Sequence, residues 1–130
     1  MPPLADMIAK KKRWRLHMGC LFCDIVQKKR TAAILYEDDL AVVFEDINPQ
    51  APVHMLVVPK KHIATTLDIT DDEKGLVGHL FQIANRMARE KGIAERGFRF
   101  VMNCNPDSGQ TVYHIHLHVL GGRIMHWPPG

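Results

Sequence analysis

Between Val112 and Leu120 the chain reads VYHIHLHVL, an alternation of imidazole and aliphatic side chains that suits an extended strand. Successive side chains on a strand point to opposite faces. His114, His116 and His118 are therefore expected to share one face, with Cβ atoms about 7 Å apart. Ile115, Leu117 and Val119 then turn the other way, into a core. Three imidazoles in strict alternation are hard to explain by packing. The rest of the fold has to supply a core for one face of this strand and a use for the other.

The segments before it supply strand partners. Residues 33–37 (AILYE), 40–45 (LAVVFE), 54–59 (HMLVVP) and 98–103 (FRFVMN) are rich in β-branched and aromatic residues. Asp38-Asp39, Asn48-Pro49 with Ala51-Pro52, and Asn105 to Gly109 read as turns and loops. A short helix is expected over 21–29, where Phe22, Ile25 and Val26 cluster. A long helix is expected after Thr70, with Glu73 completing a capping box and Gly92 ending it. Leu76, Val77, Leu80, Phe81, Ile83, Ala84, Met87 and Ala88 follow its period. The expectation is α+β: a five-stranded antiparallel sheet with one long and one short helix. At 130 residues, without internal repeats, the chain reads as one domain.

The net charge of +3 is unevenly placed. Residues 1–17 carry +4, leaving −1 for the remainder. A basic disordered arm over 1–18 followed by a folded domain over 19–130 is the expected organisation. The body is therefore a poor candidate for nucleic-acid binding. No stretch approaches the roughly 20 apolar residues of a membrane span. Three cysteines and no secretory leader suggest a reducing, cytoplasmic setting.

Imidazoles two apart on a strand suit either metal ligation or nucleophilic and acid–base catalysis. Ser108-Gly109-Gln110-Thr111 leads into the histidines. Gly109 permits close backbone approach, and backbone N–H groups with the Thr111 hydroxyl can donate to an anion. No acidic residue lies in this segment to help hold a catalytic metal. Imidazoles beside a phosphate cradle favour attack at phosphorus. Taken alone, Asp46 reads as a loop cap and Asn103 as a turn residue. His79 and His126 read as surface residues without a role. Cys104 reads as an incidental small residue, open to oxidation.

The pattern His114-Ile115-His116-Leu117-His118-Val119 resembles that of the histidine triad (HIT) family. The resemblance runs from about residue 19 to the C-terminus and includes Phe44 to Pro52, His54 and Pro59-Lys60-Lys61-His62. The ending Leu120-Gly121-Gly122-Arg123 with Trp127-Pro128-Pro129-Gly130 looks like the Hint branch of nucleotide-binding members. The resemblance implies hydrolysis of purine nucleoside phosphoramidates through a covalent nucleotidyl-histidine. His116 would be the nucleophile, His118 would bond the phosphoryl oxygens, and His114 and His54 would orient the network. Asn103, Gly109, Gln110 and Thr111 would help bind phosphate, Asp46 the ribose hydroxyls and Ile47 the base. Thr111 stands where that branch more often has Ser. The ligands would be purine nucleoside monophosphate esters and amides, and no cofactor would be required for the chemistry. The resemblance also implies a homodimer whose sheets join into one continuous sheet.

Two other functions remain open on the sequence. Gln110-Thr111-Val112 locally resembles a branch that hydrolyses dinucleoside polyphosphates. A nucleotide-binding regulatory protein with weak catalysis is the other. Cys20-Leu21-Phe22-Cys23 is ambiguous alone between metal and redox use. Bacterial-type histidine triad proteins with this pair bind a structural zinc through it and two histidines, here His62 and His114. Members without the cysteines bind none, so a structural zinc stays open.

Overall fold

The computed structural model describes residues 19–130, so the basic arm expected over 1–18 lies outside the described residues. Helix α1 spans Leu21–Val26. Strands β1 (Ile34–Glu37), β2 (Ala41–Glu45) and β3 (Val53–Pro59) follow. Helix α2 (Lys74–Glu90), β4 (Phe98–Val101) and β5 (Leu117–Gly121) complete the order. All five strands pair antiparallel, as the strand patterning predicted, and their order is β1-β2-β3-β5-β4.

The sheet is buried on both faces, which explains the near-continuous apolar runs of β2 and β3. Val43, Met55, Val57, Leu117 and Val119 pack against Leu80, Ile83, Ala84, Met87 and Ala88 of α2. Val42, Phe44, Leu56 and Val58 face the other way and meet Phe22, Ile25 and Val26 of α1. Each fully buried aliphatic side chain contributes roughly 1.5–3 kcal/mol. Leu56 pairs with His118 and His54 with Leu120, so the α1 face is the one that carries the histidines of β3 and β5.

Helix α2 ends as predicted. Gly92 has φ +73°. The Ile93 N–H donates to the Ala88 carbonyl at 3.0 Å and the Gly92 N–H to the Arg89 carbonyl at 3.1 Å, the two bonds of a Schellman cap. Its start differs from expectation. Thr70 makes no side-chain cap to the backbone; its hydroxyl donates to the Glu73 carboxylate, and a 3-10 turn over Asp71–Glu73 leads into the helix. A capping box does form one turn earlier, between Thr65 and Asp68.

Helix α1 is shorter than the expected 21–29. It closes with the same two-bond pattern, Lys29 N–H to the Asp24 carbonyl and Lys28 N–H to the Ile25 carbonyl, with Lys28 at φ +61° in the position glycine usually takes. Strands β4 and β5 are also shorter than read. β5 begins at Leu117, not at residue 112, because the preceding backbone pairs elsewhere: the Ile115 N–H donates to the Ile63 carbonyl at 2.8 Å.

Candidate functional site

The β2–β3 loop, the C-terminal end of β4, the start of β5 and helix α1 enclose a cavity of about 360 Å³. Its apolar wall includes Phe22, Ile25, Phe44 and Leu56. Its polar end includes Asp46, Asn103, Gly109, Thr111, His116 and His118, and Ile47 stands at its edge, almost fully exposed. The size and the mixed lining suit a ligand with one flat apolar part and one anionic part.

His116 and His118 line this cavity, whereas His114 does not. The His114 and His116 rings both pack against Phe22 of α1, and His114 sits beside the cavity at its Cys20–Cys23 end. The buried His114 ring lies under the start of α1, with its centroid 6.0 Å from that of Phe22, and its Nε2–H donates to the Pro59 carbonyl at 2.7 Å. The backbone carbonyl of His114 points back toward the cavity and accepts from His116 Nδ1 at 2.8 Å. A carbonyl only accepts, so the proton of a neutral His116 ring sits on Nδ1 and its Nε2 carries a lone pair. Burial holds His116 below its ordinary value, although the His114 carbonyl and Asp46 oppose it. Phe22 packs edge-on against this ring, with centroids 4.9 Å apart.

His118 has the opposite arrangement. The Gln50 N–H donates to His54 Nδ1 at 3.0 Å, which leaves the His54 proton on Nε2. That nitrogen lies 2.8 Å from His118 Nδ1 and 3.3 Å from Asp46 Oδ2. His118 Nδ1 thus accepts, and its own proton sits on Nε2. Burial, then His116 and His54, hold His118 down to about 4, while Asp46 opposes them. Burial also lowers His54, against the pull of Asp46. All three rings are neutral at pH 7: one offers a lone pair and its neighbour, with ring centroids 4.9 Å away, offers an N–H.

The remaining predicted residues divide. Asn103, Gly109 and Thr111 line the cavity. The side chain of Gln110 does not; it is buried and braces the loop, accepting from the Asn105 N–H at 2.7 Å and donating to the Ala64 and Val112 carbonyls. Asp46 caps its loop by accepting from the Asn48 N–H at 2.8 Å while its other oxygen faces His54. His79 has a role the sequence reading missed: its Nε2 lies 2.6 Å from Asp38 Oδ2, tying α2 to the β1–β2 turn. His126 is exposed, and its carbonyl accepts from Arg99. Cys104 is half-buried; the Thr66 hydroxyl and neighbouring backbone groups hold its thiol below the ordinary range, against burial. Phe22, Arg30 and Thr31 line the cavity without having been singled out, because nothing in a short amphipathic stretch shows that its end folds over the sheet.

The Cys20, Cys23, His62 and His114 donor atoms lie within 4.8 Å of one another. Cys23 Sγ is 3.3 Å from His62 Nδ1 and 3.5 Å from His114 Nδ1, and Cys20 Sγ is 3.5 Å from His114 Nδ1. Two sulfurs and two imidazole nitrogens are a zinc donor set, and the Pro59 carbonyl fixes the His114 tautomer that aims a lone pair at the cluster. The residues therefore fit a tetrahedral divalent metal. Burial, with help from Cys20 and Asp24, pushes the Cys23 thiol up to about 12, so metal binding there would release protons. Asp46, His54 and His118 also lie close enough to hold an ion, but their contacts are those of the hydrogen-bonded relay above.

Residues 27–125 match the HIT domain family. A HIT-like protein of Synechococcus elongatus is 48% identical over 110 residues, which cover 85% of this chain and 96% of that protein. A HIT family hydrolase from Legionella pneumophila has a similar crystal structure, with TM-score 0.85 and 50% identity, covering 86% of this chain and all of the other. A zinc-bound histidine triad family protein from Mycobacterium smegmatis aligns with TM-score 0.71 and 34% identity, covering 82% of this chain and 76% of that one.

Proposed function

Because this chain belongs to the HIT domain family, we propose that it is a nucleotide hydrolase cleaving the P–N bond of purine nucleoside phosphoramidates through a nucleotidyl group carried on His116. The observation that carries this reading is the pair of complementary tautomers at the cavity floor. The His116 Nε2 lone pair attacks phosphorus, forming an N–P bond as the P–N bond to the leaving amine breaks. The amine departs with a proton taken from solvent, and the water of the second step returns one to solvent. Water then attacks phosphorus, the His116–phosphorus bond breaks, and the nucleoside monophosphate is released. Dividing the displacement into two steps lowers each barrier. His118 Nε2–H donates to a phosphoryl oxygen, and donors already in place cost no reorganisation as charge develops.

In this proposal Thr111, the Gly109 backbone and Asn103 hold the phosphate, Asp46 accepts from the ribose hydroxyls, and Ile47 covers the base. Gln110 serves by shaping the loop. The Trp127-Pro128-Pro129-Gly130 ending supports the Hint branch and a homodimer joined sheet to sheet. A structural zinc on Cys20, Cys23, His62 and His114 would pin α1 to the segment before β5. A reducing compartment such as the cytoplasm suits those thiols.

The test is turnover of adenosine 5′-phosphoramidate, compared with diadenosine polyphosphate, by wild type and His116→Ala. We expect faster release of AMP from the phosphoramidate, a nucleotidylated protein on acid quench, and loss of both in the variant with AMP binding retained. Turnover by His116→Ala at the wild-type rate refutes the mechanism, and preferred cleavage of the polyphosphate refutes the substrate class.

A further inference from the structure

The segment Gly121-Gly122-Arg123 lies outside the cavity lining, and the proposed chemistry gives it no task. Its geometry is nevertheless closely determined. A Cβ on Gly121 would stand 2.6 Å from Ile93 Cδ1, so the strand end accepts the Ile93 side chain only as glycine. Gly122 has φ +90°, and a Cβ there would stand 2.9 Å from Pro52 Cβ. The Gly122 backbone is therefore pressed against the β2–β3 loop, and this places Arg123 over it. Arg123 Nε–H donates to the Gln50 carbonyl at 3.0 Å, and its Nη1 donates to the Ile124 carbonyl at 3.1 Å.

Gln50 is the residue whose own N–H donates to His54 Nδ1. The two tautomers of a neutral imidazole differ little in free energy, so the partner at one nitrogen decides where the proton sits. Asp46 favours the same His54 tautomer from the Nε2 side, at 3.3 Å, but its distance is longer than that of the Gln50 bond. Arg123 thus holds the carbonyl of the residue whose N–H, on the preceding peptide unit, sets the His54 tautomer, and the His54 ring passes that choice to His118 in the cavity.

We propose that Arg123 is a positioning residue for the reaction: by pinning the Gln50 carbonyl it keeps the Gln50 N–H on His54 and so keeps the proton on His118 Nε2, facing the phosphoryl group. The proposal rests on reading His116 and His118 as nucleophile and donor. It adds that the Gly-Gly-Arg segment, outside the cavity lining, sets the donor's tautomer.

The experiment uses the full chain as wild type, Arg123→Ala, Arg123→Lys and Arg99→Ala. Arg99 also reaches one tail carbonyl, that of His126, but its side chain bonds neither Gln50 nor His54 among the described residues. Long-range proton–nitrogen NMR reads the His54 and His118 ring nitrogens without substrate, and adenosine 5′-phosphoramidate reads kcat and KM. Arg123→Ala should lower kcat roughly tenfold with KM within about twofold, as expected for loss of alignment at the reacting centre. Its ring-nitrogen signals should move toward mixed tautomers, Arg123→Lys should recover part of both effects, and Arg99→Ala should show neither. Wild-type ring-nitrogen signals in Arg123→Ala overturn the proposal whatever the activity does, and so does an equal change in Arg99→Ala. Should Arg123→Ala fail to fold, an unchanged tautomer pattern in Arg123→Lys overturns it. A wild-type chain inactive on phosphoramidates would sink the reading of function, while the NMR comparison would still test the clamp.

Discussion

His116 and His118 line the cavity as neutral imidazoles, with a neutral His54 bonded behind them, so acid should weaken the fold before the carboxylates titrate. His118 gives the magnitude. It titrates at about 4 in the native protein against an ordinary 6.5, with burial as the main cause. Between those values the unfolded chain binds a proton that the native site refuses. Stability therefore rises with pH through this window, and it is lost as pH falls from 6.5 toward 4. The gap is worth on the order of 3 kcal/mol for His118 alone, since each pH unit corresponds to about 1.4 kcal/mol. Its side chain is 17% exposed, so solvent screening removes little of this. That is a large share of the roughly 5–15 kcal/mol that holds a domain of this size folded. The assay is urea unfolding of wild type and His118→Asn between about pH 7.5 and about pH 4.5. The cysteines, His62 and His114 are common to both proteins, so their titration cancels in the comparison. The wild type should lose roughly 2–3 kcal/mol more than the variant across the window. Parallel losses would refute the argument that the site excludes the proton.

Two further outcomes follow from packing and from the donor cluster. Gly121→Ala should cost about 1–3 kcal/mol through the clash with Ile93, and Ile93→Ala in the same chain should return part of that loss, a coupling read from a double-mutant cycle in urea. Wild-type protein should retain about one zinc per chain after dialysis, and Cys20→Ser or Cys23→Ser should lose the metal and unfold at lower temperature, as measured by elemental analysis and thermal melts.

The fold was legible wherever one local rule acted without competition. The strands β2 and β3 and the stripe of α2 carried enough apolar residues to be placed within a residue or two, and Gly92 marked its helix end because a left-handed residue is needed there. The end of α1 was misread because Lys28 takes the left-handed conformation that glycine advertises and lysine does not. The Thr70–Glu73 capping box was misread because the pattern of residue types matches two geometries. In one the threonine hydroxyl accepts from a backbone N–H; in the one adopted it donates to the Glu73 carboxylate.

The site shows the same limit at higher stakes. Alternation placed His116 and His118 on one face, and both line the cavity, but it assumed an unbroken strand from residue 112. Pattern alone cannot show which backbone groups are already taken. Gln110 bonds the Val112 and Ala64 carbonyls, and Ile115 bonds Ile63, so regular pairing starts only at Leu117 opposite Val57. That irregular stretch lets His114 act twice, its ring among Cys20, Cys23 and His62 and its carbonyl on His116 Nδ1. Two residues apart beneath α1, the His114 ring thus lies in a cluster that could hold a metal and the His116 ring lines the cavity.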